Sequence, residues 1–256
     1  MIRKFWVEYQ TPSHIPPPYS HTYKLSAHTD GKQLQISYDI TYTEREELTE
    51  EELEDEGFST DDDLSISAQV NLVWWTSVQN LLQNTKLQSV PEATHEDDEN
   101  SPLLVGWETA DGTQHKGFPI NNSDWQYLAQ ELTQATLEAA QHESPLSIRF
   151  LKVASATHQT EVEISVGFAD RDAQVSVVSD DKQRTYPLAW EKIKPLLQAI
   201  YAPEYYPEKA LADQPEKAGS YIDCGDGLWY KLGDGVRNMP GQKLLPTLEK
   251  QFAEWL

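Results

Sequence analysis

The sequence predicts an α+β fold in which antiparallel β-hairpins recur, each followed by an amphipathic helix layered on one face of a sheet. Four segments repeat one pattern, an anchor position with apolar residues three and seven positions on, and such positions share one face of a helix. The four copies are Trp75/Val78/Leu82, Trp125/Leu128/Leu132, Trp190/Ile193/Leu197 and Gly241/Leu244/Leu248. A stretch typical of a hairpin precedes each copy, and helices with one apolar stripe must cover a sheet face.

The strands are predicted from the alternation of apolar and polar residues. In the first half of the chain this alternation predicts strands over residues 4–9, the two arms of 23–42, 64–70, 103–108 and 115–120. Hairpin turns are placed at Asp30-Gly31 and Asp111-Gly112, because Asp-Gly supplies the positive φ angles of tight turns. In the second half, strands are predicted over residues 146–153, 161–168, 173–178, 220–224 and 228–232.

Two prolines define where the last two helices begin. Pro195 would cost about 3 kcal/mol inside a helix unless it lies in the first turn, so the third helix is predicted to start near Lys192, with Trp190 just before it. Pro246 falls at the equivalent place in the fourth copy, which predicts a helix over residues 244–255. This shared position supports treating the two segments as equivalent.

The domain organisation predicted is a first hairpin-helix unit with an acidic insertion over residues 1–90, and three further units over residues 101–256. The boundary between them is placed in residues 85–102, which show no periodicity. The pattern also fits one continuous domain. The anchors are spaced too irregularly for a solenoid, and both duplication and convergence on one core pattern explain the four copies.

The charge of the chain is strongly acidic, with a formal net charge of −22 from 42 acids and 20 Lys and Arg. Nucleic acid and anionic membrane are excluded as partners, because a polyphosphate binder needs a basic patch. Residues 44–63, which we call the acidic segment, hold twelve acids and one Arg, and residues 92–99 hold five more acids. Such blocks predict solvated, mobile loops. Within the acidic segment, Thr49 and Glu52 predict a capped short helix.

The compartment predicted is the cytoplasm. The single Cys224 excludes an intramolecular disulfide. Glu8 ends the N-terminal apolar run too early for a signal peptide. The chain also lacks the roughly 18–20 consecutive apolar residues of a membrane-spanning helix.

Catalytic and metal signatures do not rise above background in this sequence. Gly225-Asp226-Gly227 fits neither a Rossmann fingerprint nor a P-loop, and two tight turns around a strand explain it. Cys224 has no adjacent His or basic residue, which is typical of an inert thiol. The seven His show no metal-ligand spacing, and the acidic runs lack the interval of an EF-hand loop. We expect no cofactor and no metal.

Two features of the sequence suggest protein binding. Pro12 and the prolines at 16–18 predict an extended, polyproline-like loop. Residues 16–19 match the Pro-Pro-x-Tyr pattern of WW-domain ligands, but the pattern is short and the flanking strands favour a packed loop. Asp61, Asp62 and Asp63 lie near Trp74, which would point about 100° away from Trp75 on a helix and offer an exposed aromatic anchor. The alternative is that Trp74 is buried.

The function predicted is a non-enzymatic protein-binding protein, such as an adaptor, inhibitor or immunity-like protein, that uses its acidic surface against a basic protein partner. The candidate binding residues are Asp61, Asp62, Asp63 and Trp74. One alternative is an enzyme whose pocket is built from residues distant in sequence. Another is a weak calcium-dependent module. The sequence leaves the oligomeric state and the strand order open.

Overall fold

The computed structural model describes residues 2–88, 103–155, 157–179, 182–239, 241 and 243–255. The α+β class is confirmed, since antiparallel sheets combine with helices throughout the described residues. By contacts, the described residues form two compact units: those up to Ser144 together with Phe168–Asp170, and the remainder from Pro145 onward. Most of the predicted boundary, residues 89–102, lies outside the described residues, so the division into 1–90 and 101–256 stays a prediction.

The first unit contains a long antiparallel sheet. Its strands are β1 Ile2–Gln10, β2 His21–Thr29, β3 Leu34–Tyr42, β4 Leu64–Val70, β5 Leu87–Gln88, β6 Leu104–Thr109 and β7 Gln114–Pro119. In the described residues they lie in the order β4-β3-β2-β1-β6-β7-β5. The described residues of this unit also form three α-helices, namely α1 Glu50–Asp55, α2 Val73–Gln83 and α3 Asn122–Ala139.

One face of this sheet is packed against α2 and α3. Phe5 and Val7 on β1 are fully buried. The ring centroid of Phe5 lies 6.0 Å from that of Trp75 on α2 and 6.3 Å from that of Trp125 on α3. Because side chains alternate between the faces of a strand, the residues next to Phe5 point to the opposite face of the sheet.

The second unit contains a six-stranded antiparallel sheet and a two-stranded one in its described residues. The strands are β8 Leu146–Ser155, β9 His158–Gly167, β10 Asp172–Ser179, β11 Lys182–Pro187, β12 Glu204–Tyr205, β13 Gly219–Asp223, β14 Tyr230–Lys231 and β15 Val236–Arg237. The larger sheet has the order β11-β10-β9-β8-β13-β14, and β12 pairs with β15. The helices are α4 Ile193–Tyr201 and α5 Leu244–Ala253.

The larger sheet of the second unit buries residues on both faces of β8. On one face, the ring of Phe150 stacks on Phe252 of α5 at 4.5 Å between centroids. On the other, Leu151 belongs to a buried cluster with Tyr221 and Trp229. Burial on both sides explains why β8 lacks the strict alternation of a half-exposed strand.

The starts of the last two helices agree with the sequence, whereas the repeating unit is not confirmed. Pro195 lies in the first turn of α4, and Trp190 precedes that helix in a 3₁₀ turn, as predicted. The predicted recurrence of a hairpin followed by a helix is not confirmed, because the strands join into extended sheets that make up most of the described structure. The sequence also missed β11, whose six side chains are all exposed and therefore carry no alternation.

Replacing Phe5 by Ala should destabilise the protein by about 3–5 kcal/mol, because the substitution leaves a cavity between the sheet and two tryptophans. Urea unfolding followed by fluorescence measures this change. Lys4→Ala, an exposed neighbour on β1, is the matched control and should stay within about 0.5 kcal/mol of the wild type. A loss below about 1 kcal/mol for Phe5→Ala would contradict the central position of this ring.

Candidate functional site

The acidic segment is held in place by its single arginine. Arg45 is buried, with an exposed fraction of 8%. Its guanidinium donates hydrogen bonds to the backbone carbonyls of Pro18, at 3.4 Å, and Ser59, at 2.5 Å. It also forms an ion pair with Asp62, with 2.5 Å between Nη1 and Oδ2. One side chain therefore joins both ends of the segment to the proline-rich loop after β1.

Aromatic rings surround the same guanidinium. Its central carbon lies 3.7 Å from the centroid of the Tyr42 ring and 4.7 Å from that of Phe58. The Phe58 ring in turn meets the edge of Tyr19 at 5.4 Å between centroids. A cation over an aromatic face is attracted by the ring quadrupole, so these contacts stabilise the arginine in addition to its hydrogen bonds.

The helix within the acidic segment is capped as predicted. The Thr49 hydroxyl accepts a hydrogen bond from the backbone N–H of Glu52 at 3.3 Å, and the Glu52 carboxylate accepts one from the Thr49 backbone at 2.8 Å. Leu53 is buried beneath this helix, α1. The acidic segment is thus folded, where the sequence predicted a mobile loop, because the burial of Leu53 and Arg45 offsets the repulsion among its carboxylates.

The three predicted aspartates have different surroundings. Asp62 accepts hydrogen bonds from the hydroxyl and the backbone N–H of Ser59 at 2.6 and 2.8 Å. These bonds, together with Arg45, hold the pKa of Asp62 below its usual value. Asp63 accepts a hydrogen bond from the Tyr42 backbone N–H at 2.8 Å. Asp61 is exposed. Asp62 and Asp63 therefore support the local fold, and Asp61 is directed to solvent.

The predicted exposure of Trp74 is wrong. Its side chain has no exposed surface, and its indole N–H donates a hydrogen bond to the backbone carbonyl of Phe168 at 2.8 Å. Trp74 and its neighbour Trp75, both at the start of α2, are buried. A tryptophan whose N–H finds a partner is readily buried, so Trp74 offers no anchor for a partner at the surface.

The surface of the acidic segment carries uncompensated negative charge. Eight of its acids are exposed and take part in none of the side-chain hydrogen bonds or ion pairs found in the described part of the chain. They are Glu44, Glu46, Glu47, Glu50, Glu51, Glu54, Asp55 and Asp61. The second acidic stretch, residues 92–99, lies outside the described residues.

An exposed tyrosine adjoins these carboxylates. Tyr19 is 47% exposed, and its hydroxyl donates a hydrogen bond to Glu56 at 2.5 Å. The loop that carries it is a turn and not the extended polyproline-like segment that the sequence predicted, because the Tyr19 and Ser20 backbones donate to the Pro16 carbonyl at 3.1 and 3.2 Å. A WW domain binds an extended Pro-Pro-x-Tyr segment, so this turn favours the packed-loop interpretation.

The remaining chemical candidates contribute no second site. Burial raises the pKa of the Cys224 thiol to about 12, which opposes formation of a nucleophilic thiolate. The Asp223 carboxylate accepts hydrogen bonds from the backbone N–H groups of Gly225 and Gly227, at 2.9 and 3.1 Å, as expected of a tight turn.

Among the described residues, no group of three or more His, Cys, Asp and Glu is arranged to hold a metal ion. No helix in the described ranges is long and apolar enough to span a membrane.

Replacing Arg45 by Ala should destabilise the acidic segment by about 1–3 kcal/mol. The backbone carbonyls of Pro18 and Ser59 lose their hydrogen-bond donor, and the Asp62 carboxylate loses its cation. The change should appear as faster cleavage of residues 44–63 by a glutamate-specific protease and as lower hydrogen-exchange protection there. Arg184→Ala, an exposed arginine on β11, is the control and should leave both unchanged. Equal cleavage of the two variants would show that Arg45 does not hold the segment.

The stability that Asp62 contributes should depend on pH. Because its pKa is lower in the folded protein than the unfolded value of about 3.9, its contribution is complete above that value and is lost as pH falls through the folded pKa. Asp62→Asn should therefore unfold more easily than the wild type at pH 6, and the difference should shrink below about pH 4. Urea unfolding of the two proteins over this pH range measures the effect, and an equal difference at pH 6 and below pH 4 would contradict it.

Known proteins give no guide to the activity of this chain. Comparisons with protein-family models, with curated proteins and with solved structures find no match. The geometry of the acidic segment is therefore the basis for assigning a function.

Proposed function

We propose that the protein is a non-enzymatic, cytoplasmic protein-binding protein, of the adaptor, inhibitor or immunity-like kind, whose acidic segment contacts a basic face of another protein. The observation that carries this proposal is the set of eight exposed carboxylates on a folded segment whose only cation is buried. Arg45 lies beneath this surface. The surface itself therefore presents negative charge with no local counter-charge.

The folded state of the acidic segment matters for binding. Charges on a mobile loop lose conformational entropy when a partner orders them, whereas the capped helix α1 and the Arg45 contacts hold the backbone beneath these charges in advance. Fixed charge complementarity accelerates encounter and rejects wrong partners more than it adds affinity. The complex we propose should accordingly form fast and weaken as ionic strength rises.

Tyr19 supplies the aromatic contact that Trp74 does not. Tyrosine is among the residues that contribute most to binding energy in protein interfaces. The Tyr19 ring packs against Phe58 and its hydroxyl is fixed by Glu56, so little rotamer freedom is lost on contact. We assign the partner surface to Asp61, Tyr19 and the exposed glutamates of the acidic segment.

The enzymatic alternative has no supporting observation in the described residues. Its best nucleophile, Cys224, is half-buried and has a raised pKa. The calcium-dependent alternative gains no support from Asp62, because both of its carboxylate oxygens already accept hydrogen bonds from Ser59 and Arg45. The other acidic run of this alternative, residues 96–99, lies outside the described residues.

Neutralising four exposed acids should weaken partner capture without unfolding the protein. The test variant carries Glu46→Gln, Glu47→Gln, Glu54→Gln and Asp61→Asn, none of which has a described partner or lies in the first turn of α1. At a few tenths of a kcal/mol for each surface charge, the loss amounts to about tenfold in affinity. Affinity capture from lysate at low and moderate salt, with mass-spectrometric identification, measures it.

A charge-matched control separates this surface from net charge. It carries Glu191→Gln, Glu208→Gln, Glu249→Gln and Glu254→Gln, four exposed acids of the second unit. The proposal expects a protein with a basic face to be retained by the wild type and the control, lost by the test variant, and released by salt. If no protein distinguishes the two variants while their melting temperatures agree, the acidic segment is not a partner surface.

A further inference from the structure

The sheet of the first unit has a second face, which we call the open face, formed by the side chains that alternate with the buried row. On β1 these side chains are Lys4, Trp6 and Glu8, and none of them is buried. Neighbouring strands continue the face through register pairs such as Trp6 with Ser26 and Ser26 with Ser37. The open face is mainly polar, with Trp6 on its central strand and the half-exposed Leu104 and Phe118 on β6 and β7.

The indole of Trp6 lies flat on the sheet over Gly106 of β6. A Cβ atom built on Gly106 would lie 2.3, 2.3 and 2.7 Å from Cε2, Cζ2 and Nε1 of the indole. Because Cβ bonds stand roughly perpendicular to a sheet, three adjacent ring atoms at such similar distances mean that the ring presents its face to Gly106. The absent side chain of Gly106 therefore makes room for an aromatic ring whose other face is directed away from the sheet.

A row of serines crosses the sheet on the other side of β1 from this ring. The row from Trp6 across β2, β3 and β4 continues through Ser26, Ser37 and Ser67, and the hydroxyls of Ser37 and Ser67 lie 2.7 Å apart. Three strand spacings make this row about 14–15 Å long. The open face thus combines one flat aromatic ring over β6 with a row of serine hydroxyls over β2, β3 and β4.

The charges of the open face are balanced, unlike those of the chain as a whole. The paired strands place three lysines and three acids on this face. The lysines are Lys4, Lys24 and Lys116, and the acids are Glu8, Asp39 and Glu108. The Glu8 carboxylate forms ion pairs with both neighbours, with 3.1 Å between its Oε1 and Lys24 Nζ and 2.9 Å between its Oε2 and Lys116 Nζ. A neutral polar surface favours an uncharged ligand over nucleic acid, which needs a basic patch.

From this geometry we infer that the open face binds an uncharged carbohydrate chain, with one sugar ring stacked on Trp6. The C–H groups on one side of a pyranose carry partial positive charge and are attracted to the negative face of an aromatic ring. The sugar hydroxyls donate to and accept from the serine hydroxyls along the row. The inference concerns a different surface from the acidic segment, and neither depends on the other.

Affinity electrophoresis tests this inference on the full chain. Native gels contain, one at a time, the uncharged polysaccharides amylose, hydroxyethyl cellulose, β-1,3-glucan, mannan and xylan. The wild type should be retarded in at least one gel, and Trp6→Ala should lose that retardation, with a rise of about tenfold or more in the apparent dissociation constant. Tyr186→Ala, which removes an exposed aromatic ring from β11, should be retarded as strongly as the wild type.

A second variant tests the position of the ring when Trp6 itself is retained. Gly106→Ala places a methyl group where the indole lies, so the ring must tilt and binding should also be lost. Three results would each overturn the inference: no retardation by any of the five polymers, retardation unchanged in Trp6→Ala and Gly106→Ala, or retardation only by a charged polymer such as heparin that disappears in salt. The last result would assign an ionic ligand to this face.

Discussion

The contact of Phe5 with Trp75 and Trp125 joins the sheet of the first unit to its two long helices, and the two faces of that sheet follow from it. A strand places successive side chains on opposite faces, so burying Phe5 and Val7 fixes Trp6 and Glu8 on the open face. The same alternation passes through the register pairs to every neighbouring strand. A slip of one residue would exchange the two faces, which a core of this size does not permit.

The acidic segment depends on a different interaction, the burial of one guanidinium. Carboxylates that repel one another favour an expanded chain. In this segment Arg45 compensates locally, because it binds two backbone carbonyls, one carboxylate and two aromatic rings at once. A lysine would not replace it, since a single ammonium lacks the planar fork that reaches partners in several directions. Order and exposed negative charge can therefore coexist in one segment.

The sequence predicted the parts of the fold that local chemistry determines. Pro195 and Pro246 located the starts of α4 and α5, and Thr49 with Glu52 located the cap of α1. Prediction from the sequence failed where the burial or order of a residue depends on partners distant in the chain. The burial of Trp74 needs the carbonyl of Phe168, 94 positions away, and the order of the acidic segment needs Pro18 beside Arg45. The sequence did carry one signal for this order, the single Arg among twelve acids, because a lone cation in an acidic block has many carboxylates with which it can pair.

The two surfaces of the first unit would use different physical interactions, and ionic strength distinguishes them. Attraction between exposed charges is screened beyond about 8–10 Å at physiological salt, so binding at the acidic segment must weaken as salt is added. Stacking on Trp6 and hydrogen bonds at a charge-balanced face involve no net counter-ion release and should be nearly independent of salt. The open face is neutral because its three lysines are matched by three acids. Two of these lysines, Lys24 and Lys116, pair with the Glu8 carboxylate, where they outweigh the effect of burial and keep the pKa of that carboxyl low. A strongly acidic chain thus retains one surface on which an uncharged ligand meets no electrostatic penalty.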